Sequence, residues 1–590
     1  MPSPARPQPT PAFRDAVRSL LGRDPGPLEL EGLAELARAA GDREILEVST
    51  ELPPHLGDQG ALIGAFGPGP EAAWAQLRAR GGSLLALLGG ADREEGLETF
   101  VLGAGLGGLD IHGEGELPGA FAAGCRPPSL EPPAPGAVLL RLEGWAPEAL
   151  GRGAQARALA EAALLPADPV ALMAWALGGR TALEVELGVG EGTWGLVAAT
   201  PDQVEELSSR LGAWGLRAVP AGRLTEGTRV VVHAGPAGEV DLPLDLDPAA
   251  LPPPFPEGST PSAPATALPA DLGEMDVERT FHALRGMAAA RPEAVGKPRD
   301  DRESLALHLG VAPHLVRLDP YWGAVAAVEA AALGLACAGA EPLGIALALP
   351  READAGLLMG LRQACVSLEL PVLELQRLDG FAAPVAVALG EFAAGAGPVD
   401  VEAPEARGLS GGAPRTCGAA FRRAFDGLFL LGERRGELGG SRVLELRGGT
   451  DRCPEPWLDE AFRLQACVRE GVRLGLLRSA RGIGRGGLLQ AALEGARVSG
   501  LGCQLLVARE GLRLDALCFG EAPGRVLVTT SAEGEGALRT LARTHRVPFA
   551  KVGVVGGAHF TVAVDGVPLL DAALADLGVS RDADPTRTGS

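Results

Sequence analysis

The chain has 590 residues, too many for one hydrophobic core, so several domains are expected. Apolar residues make up 46% of the sequence, which favours globular folding over disorder. The net charge of −22 argues against a nucleic-acid-binding protein and against a basic membrane anchor.

The eight cysteines and eight histidines are scattered, and no two cysteines have the CxxC spacing typical of zinc sites. We therefore expect no metal centre, and interpret Cys337, Cys365 and Cys518 as small core residues. The stretch MPSPARPQPTPAF lacks the apolar core of a signal peptide, and no uninterrupted apolar run reaches transmembrane length. These features predict a cytoplasmic protein.

The N-terminal region begins with a proline-rich stretch, residues 1–12, which is predicted to be a disordered tail. Residues 13–44 predict two amphipathic helices around a turn at Asp24-Pro25-Gly26-Pro27. In residues 45–135, the isolated His55 and His112 are more typical of solvated than of catalytic histidines. The glycine-rich stretch GAGLGGLDIHGEG lacks a phosphate-binding spacing and predicts turns.

The middle of the chain alternates strands and helices. Residues 136–250 include a helix start at Thr200-Pro201-Asp202, and residues 251–268 form a linker rich in Pro, Ser and Thr. Residues 315–350 predict an extended segment, a turn at DPYWG, an alanine-rich helix over 324–335 and a buried strand over 343–349. Gly339 is placed to cap that helix in a left-handed conformation.

Several motifs carry a resemblance to a known family. LDPYWGAVAAV and LACAGAEPLGIA are followed by LFLLGERRGELGGSRVLEL, SARGIGRGGLLQAALEGA and LDALCFGEAPGRVLV. With LLGRDPGPLEL near the start, these segments resemble PurL-type phosphoribosylformylglycinamidine (FGAM) synthases of the aminoimidazole-ribonucleotide-synthetase (PurM-like) superfamily. The glycines in GELGGS predict a tight loop over 436–441, with at least one glycine at positive φ.

The resemblance implies an α+β fold of two tandem PurM-like halves, each with an N-terminal-type and a C-terminal-type α/β subdomain. After the N-terminal helical segment 13–44, the implied subdomains are 45–135 and 136–250. The linker 251–268 then leads to subdomains 269–404 and 405–590. The family catalyses ATP-dependent conversion of formylglycinamide ribonucleotide to its amidine, so ATP and Mg²⁺ would be the expected cofactors.

The residues that carry this chemistry in the family are largely replaced. Ala40 stands where the family has a catalytic histidine, and Leu347 stands where it has an aspartate implicated in ATP binding. The family's Gly-Asn-Ser turn for nucleotide, magnesium and substrate aligns with Leu375, Gln376 and Leu378. A cavity walled by these leucines is expected, and it would lack the oxygen ligands that a divalent ion needs.

Five residues remain candidates for nucleotide or substrate binding under the resemblance. They are Asp319, Tyr321, Gln376, Glu521 and Arg525. No catalytic residue and no metal ligand is identified. Arg481 and Arg485, which replace polar residues of the family's H-D-V-S-D segment, suggest either a solvated basic loop or an anion site built on guanidinium groups.

Three functional hypotheses follow. The first is a noncatalytic or divergent PurL-like paralogue in purine biosynthesis, and the second is a functioning divergent FGAM synthase. The third is a ligand-binding protein outside purine metabolism. The resemblance implies the glutaminase and small bridging subunits of the FGAM synthase complex, or an intact PurL, as partners.

Overall fold

The computed structural model describes the chain in segments. They are residues 8–48, 61–67, 83–91, 98–101, 110–114, 120–126, 134–143, 163–166, 168–187, 193–212, 217–255, 268–287, 294–295, 305–378, 383–392, 397–398, 415–449 and 451–577. Most of the predicted tail 1–12 and most of the predicted linker 251–268 lie outside the described residues, as does His55.

The N-terminal segment forms two helices, α1 (Pro11–Leu21) and α2 (Pro27–Ile45), which confirms the predicted pair around a turn. The Thr10 hydroxyl caps α1 by accepting a hydrogen bond from the Phe13 N–H at 3.2 Å. Glu29 closes the first turn of α2 by accepting from the Gly26 N–H at 2.8 Å.

The first half of the chain contains two complete sheets and contributes one strand to a third. Its further elements, in chain order, are β1 (Ala61–Gly67), β2 (Ser83–Ala91), β3 (Glu98–Val101), β4 (Asp110–Glu114), β5 (Ala120–Arg126), β6 (Val138–Glu143), β7 (Ala163–Pro166), α3 (Pro169–Gly178), β8 (Leu183–Glu186), β9 (Thr193–Ala199), α4 (Val204–Gly212), β10 (Arg217–Leu224), β11 (Arg229–His233) and β12 (Glu239–Pro243). Sheet A has the order β1-β5-β2-β3, and sheet B has the order β7-β9-β6-β10-β8-β11-β12. Part of the glycine-rich stretch predicted to form turns is therefore strand β4, which contains His112.

The second half begins with a helix and a six-stranded sheet. Its elements are α5 (Glu274–Met287), β13 (Ala294–Val295), β14 (Leu305–Val311), α6 (Pro313–Val316), α7 (Pro320–Ala338), β15 (Glu341–Pro350), α8 (Ala355–Ser367), β16 (Val372–Leu378) and β17 (Val385–Glu391). Sheet C has the order β13-β4-β14-β17-β15-β16. Strand β4 pairs in parallel with β14, so the two halves of the chain share this sheet.

The remaining elements build the last domain. They are β18 (Gly397–Pro398), β19 (Arg415–Thr416), β20 (Gly427–Leu431), α9 (Arg442–Arg447), α10 (Leu458–Arg473), β21 (Ser479–Gly482), α11 (Gly487–Ser499), β22 (Cys503–Val507), α12 (Leu514–Phe519), β23 (Val526–Thr530), α13 (Glu535–Thr544), β24 (Phe549–Val555), β25 (His559–Val564) and β26 (Val567–Ala573). Sheet D has the order β21-β23-β20-β24-β22-β25-β26.

Sheets B and D have the same topology. If the seven strands of each sheet are numbered in chain order, both sheets have the second, fourth, first, fifth, third, sixth and seventh strands side by side. Each sheet has one parallel pair, β8 with β11 and β22 with β25, and its other pairs are antiparallel. Sheet A, β1-β5-β2-β3, and the run β14-β17-β15-β16 within sheet C also share one order. In each, the first strand along the chain is followed by the last, the second and the third. This repetition confirms the prediction of two tandem halves.

Helix α5 packs on sheet D. Leu272, Val277 and Phe281 are buried in one core with residues of the last domain, and the Phe281 ring stacks on Phe560 with centroids 5.4 Å apart. The predicted boundary at residue 269 assigns this helix to subdomain 269–404, whereas its side chains lie against the last domain. Helices α1 and α2 cover sheet B in the corresponding way, through residues such as Phe13 and Leu33.

Helix α7 is the most deeply buried helix of sheet C's helical layer. It begins at Pro320, four residues before the predicted start, and residues 313–316 are helical rather than extended. Gly339 caps its C-terminus at φ 87°, as predicted. By length and composition α7 could cross a membrane, although Glu329 interrupts it. Here 15 of its 19 residues are buried between neighbouring elements, so its apolar character is explained by packing.

Candidate functional site

The Asp319 side chain caps helix α7. Its Oδ1 accepts a hydrogen bond from the Trp322 N–H at 3.0 Å. An aspartate at this position satisfies a backbone donor that the helix leaves unpaired. Tyr321 lies in the first turn, half-buried, with its ring edge-on to Trp322 at 4.8 Å. Both candidates thus have structural contacts that account for their presence.

Leu347 and Leu375 are partners on adjacent parallel strands, β15 and β16. Leu347 is fully buried and Leu375 nearly so, in a core formed with leucines of α8 such as Leu357 and Leu361. Both leucines are therefore enclosed in this apolar core and do not wall an open cavity, contrary to expectation. Leu375, Gln376 and Leu378, which align with the family's turn, all lie in strand β16 of this chain.

Gln376 lies on β16 between Leu375 and Arg377, and is half-buried. The Arg377 guanidinium makes a two-pronged contact with Asp42 of α2, with Nε–Oδ2 at 2.5 Å and Nη2–Oδ1 at 2.9 Å. Its Nη1 donates to the carbonyl oxygens of Arg351 and Ala353 at 3.0 and 2.7 Å. All three nitrogens of this buried arginine are therefore engaged.

Ala40 lies on the same helix as Asp42, two residues before it. Further ion pairs join this region to the second half of the chain: Glu35 of α2 pairs with Arg351, and Glu47, just beyond the end of α2, pairs with Arg362. The junction of α2 with sheet C is consequently a packed set of ion pairs. Sequence reasoning missed Asp42 and Arg377 because their pairing spans 335 positions of the chain.

Glu521 connects two helix starts in the last domain. Its Oε1 accepts from the Arg442 N–H at 2.9 Å and the Gly486 N–H at 2.7 Å, and its Oε2 accepts from Arg485 at 2.7 Å. Burial raises the pKa of the Glu521 carboxyl, while Arg485 and the two N–H groups oppose that rise. The carboxylate thus occupies the N-termini of α9 and α11 itself.

Arg525 is an internal guanidinium. Its Nη2 donates to the Gly520 carbonyl at 2.7 Å and to the Ala522 carbonyl at 3.2 Å. Burial lowers its pKa to about 10, against the favourable influence of Glu437 and Glu521. Arg525 therefore shapes the loop that carries Glu521.

The glycine loop 436–441 has the predicted conformation, with φ of 74° at Gly436 and 68° at Gly440. A Cβ on Gly439 would stand 1.7 Å from the Arg452 carbonyl oxygen. A Cβ on Gly440 would stand 2.8 Å from the Leu315 side chain and 3.2 Å from the His314 ring. The glycines therefore permit close packing of this loop on α6 and on the segment around Arg452.

Arg481 and Arg485 are neutralised by carboxylates. Arg481 pairs with Glu494, and Arg485 pairs with Glu445 at 2.9 Å in addition to Glu521. Neither guanidinium is simply solvated, and each already holds a carboxylate. His314 lies close by, and burial, with Arg485 as the largest charge effect, lowers its pKa to about 3.

Glu329 is a buried carboxyl that sequence reasoning did not select. It lies on the face of α7 that meets the last domain, and its Oε1 has no hydrogen-bond partner among the described residues. Burial raises its pKa to about 7, opposed by a hydrogen bond from the Gly524 backbone. A single acidic residue inside an apolar helix was the only signal in the sequence.

The residues at the positions implied for ATP and Mg²⁺ do not fit those groups. Leu347 and Leu375 offer no oxygen ligand, and both are buried in an apolar core. Among the residues that the structure describes, no group of three or more His, Cys, Asp and Glu side chains could hold a metal ion.

Comparisons with known proteins agree with this fold. Residues 426–565 match the family described as AIR synthase related protein, C-terminal domain. The PurL subunit of phosphoribosylformylglycinamidine synthase from Thermomicrobium roseum is 29% identical over 431 residues, 65% of this chain and 56% of the relative. The same subunit from Anaeromyxobacter dehalogenans is 30% identical over 458 residues, 67% of this chain and 58% of the relative.

Solved structures of Thermotoga maritima PurL match most of the chain. The complex with AMPPCP has a TM-score of 0.55 at 13% identity and covers 92% of this chain and 100% of that one. The PurLQS structure has a TM-score of 0.53 at 14% identity and the same coverage.

The fold and these matches define the class: the chain belongs to the aminoimidazole-ribonucleotide-synthetase-related, or PurM-like, superfamily. Within that superfamily it is a PurL-type member, similar in sequence to PurL subunits of phosphoribosylformylglycinamidine synthase. The chain spans less than three fifths of the length of these two curated relatives, 56% and 58%.

Proposed function

We propose that this chain is a noncatalytic PurL-type protein of purine biosynthesis, which keeps the fold of an FGAM synthase subunit without its ligase activity. The observation that carries the proposal is the complete burial of Leu347 in an apolar core, beside Leu375 on the neighbouring strand. ATP-dependent amidine formation needs oxygen ligands for magnesium and donors around the phosphates. Apolar side chains in a closed core supply neither.

The junction between α2 and β16 supports the same proposal. Ala40 has no group that can transfer a proton, and the neighbouring Asp42 carboxylate is already held by Arg377. A general acid or base must reach the reacting atoms with a proton to give or accept. In this chain the polar groups nearest Ala40 serve packing between the halves.

The proposed role is that of a scaffold or ligand-sensing partner in the cytoplasm. Its partners would be the glutaminase and small bridging subunits of the FGAM synthase complex, or an intact PurL. Support comes from the PurLQS structure among the matches. The acidic charge of −22 argues against nucleic acid and anionic membranes as partners.

An activity assay tests the proposal. The full chain is incubated with formylglycinamide ribonucleotide, ATP, Mg²⁺ and ammonium salt, and ADP release is measured beside Thermotoga maritima PurL as a positive control. We expect no substrate-dependent ADP release. Calorimetry with ATP should give at most weak binding, which Mg²⁺ does not strengthen. Turnover that requires both substrate and ammonia would overturn the proposal and restore the divergent ligase.

A further inference from the structure

A cavity of about 440 Å³ lies where the first residue of β15 meets the C-terminal half of α10. Glu341, Arg469, Glu470, Arg473 and His545 provide its charged and polar walls, with Glu470 paired to His545. Cavities that bind small molecules usually have volumes of roughly 300–1,000 Å³. Six residues of extended strand, roughly 20 Å, separate Glu341 from Leu347, so this cavity is remote from the leucine core.

Two arginines of this cavity form ion pairs with one carboxylate, that of Glu341. Arg469 and Arg473 are four residues apart on α10 and therefore project from one face of the helix. Arg469 Nε lies 2.6 Å from Glu341 Oε2, and Arg473 Nη1 lies 3.0 Å from Glu341 Oε1. Like charges at this spacing repel each other weakly, and an anion between them offsets that repulsion.

The opposite wall adds a further polar group. His545 follows helix α13 and places its Nε2 2.7 Å from Glu470 Oε2. Arg469 is largely buried, with 18% of its side chain exposed, whereas the Glu341 side chain is 48% exposed. The Arg469 guanidinium is therefore held within the protein, and the Glu341 carboxylate approaches it from the solvent side.

We propose that this cavity binds a small organic oxyanion, which replaces Glu341 between Arg469 and Arg473 and extends toward His545. Planar guanidinium groups suit both carboxylate and phosphate oxygens, so a dicarboxylate and a phosphate monoester share the recognition chemistry. Glu341 competes with such a ligand for the guanidinium groups of Arg469 and Arg473. An exposed ion pair is weak and readily exchanged, so an external anion can displace it.

Calorimetry with two probes, glutarate and phenyl phosphate, tests the proposal on the full chain. We expect at least one probe to bind, and the stronger probe identifies the anion class. Glu341→Gln removes the competing charge while keeping the size of the side chain, and should tighten binding about fivefold. Arg469→Met and Arg473→Met should each weaken binding about tenfold or more, because each removes a charged donor.

Arg229→Met is the matched control, because Arg229 is a half-exposed arginine of sheet B that pairs with one carboxylate, Asp241. It should leave binding unchanged. Thermal unfolding checks each variant, and Arg473→Met serves alone if Arg469→Met fails to fold, since the Arg473 side chain is 44% exposed. Failure of both probes to bind the Glu341→Gln variant overturns the proposal. So does binding that neither arginine substitution weakens.

Discussion

Arg377 of strand β16 and Asp42 of helix α2 form a buried two-pronged ion pair, with Nε–Oδ2 at 2.5 Å and Nη2–Oδ1 at 2.9 Å. Their side chains are only 8% and 6% exposed. Carbonyl oxygens of Arg351 and Ala353 accept the remaining donors of Arg377. This pair fastens the N-terminal helical segment, which covers sheet B, to sheet C of the second half.

Replacing one partner of this pair should be strongly destabilising. Arg377→Met leaves the Asp42 carboxylate buried without its charge partner, and such a loss costs about 3–5 kcal/mol. Urea unfolding, followed by circular dichroism, measures the change. The matched control is Arg18→Met, which breaks an exposed, solvent-screened pair with Asp24 and should cost much less. Equal effects of the two substitutions would contradict the role given to the buried pair.

Glu329 should make stability depend on pH near neutrality. Burial raises its pKa from 4.5 to about 7 in the folded chain, so the folded state holds this proton more tightly than the unfolded state. The stabilisation of the folded state by this proton is fully present below about pH 4.5 and is lost as pH rises through about 7. At pH 8, Glu329→Gln should therefore be more stable than the parent by roughly 3 kcal/mol.

The measurement is the difference in unfolding free energy between Glu329→Gln and the parent chain from pH 4.5 to pH 8. The difference should grow with pH and level off above about 7. Glu535→Gln is the control, because hydrogen bonds from Lys551 and Arg539 lower the pKa of Glu535 and move its pH dependence below about pH 4.5. Its difference from the parent should therefore stay nearly constant over this range. A difference for Glu329→Gln that is equally constant would show that folding does not raise the pKa of Glu329.

Gly440 should not tolerate a side chain. Its φ of 68° disfavours any residue with a Cβ, and that atom would lie 2.8 Å from the Leu315 side chain. We expect Gly440→Ala to destabilise by at least about 1 kcal/mol. Gly536→Ala is the opposite case, since Gly536 lies in helix α13 and a Cβ added there would meet open space. Gly536→Ala should stabilise the folded chain by about 0.5–1 kcal/mol. Thermal unfolding of the two variants and the parent measures both changes.

Phe281 should be essential for docking helix α5 on the last domain. The ring is 2% exposed and stacks on Phe560. Phe281→Ala should cost about 3–5 kcal/mol, through lost burial and the cavity that remains. Met275→Ala on the same helix removes a side chain that is 87% exposed, and should change stability by less than about 0.5 kcal/mol. Similar losses of stability for Phe281→Ala and Met275→Ala would contradict the packing of α5 on the core of the last domain.

Leu347→Asp should not create ligase activity. The substitution puts a carboxylate at a fully buried position in an apolar core, and Ala40 still lacks a proton-transfer group. We expect a large loss of stability and no substrate-dependent ADP release. Leu347→Met keeps the volume and apolar character, and should unfold within about 1.5 kcal/mol of the parent. Measurable amidine formation by Leu347→Asp would contradict this account.

The sequence by itself determined the local elements and the family. The turn at residues 24–27, the left-handed glycines at 339, 436 and 440, and the buried run of β15 follow from rules that act over a few residues. The motifs around residues 315–350 and 428–528 also sufficed to recognise two PurM-like halves. Those features depend on side-chain type and spacing, which are present in the sequence.

Only the tertiary structure decided what surrounds each side chain. It placed Leu347 and Leu375 inside an apolar core, and it engaged Glu521 at two helix starts. It also brought Arg377 to Asp42. Burial and pairing depend on which distant segments meet, and long-range contacts of this kind are not encoded in any local pattern. The chemistry open to a side chain is set by those contacts.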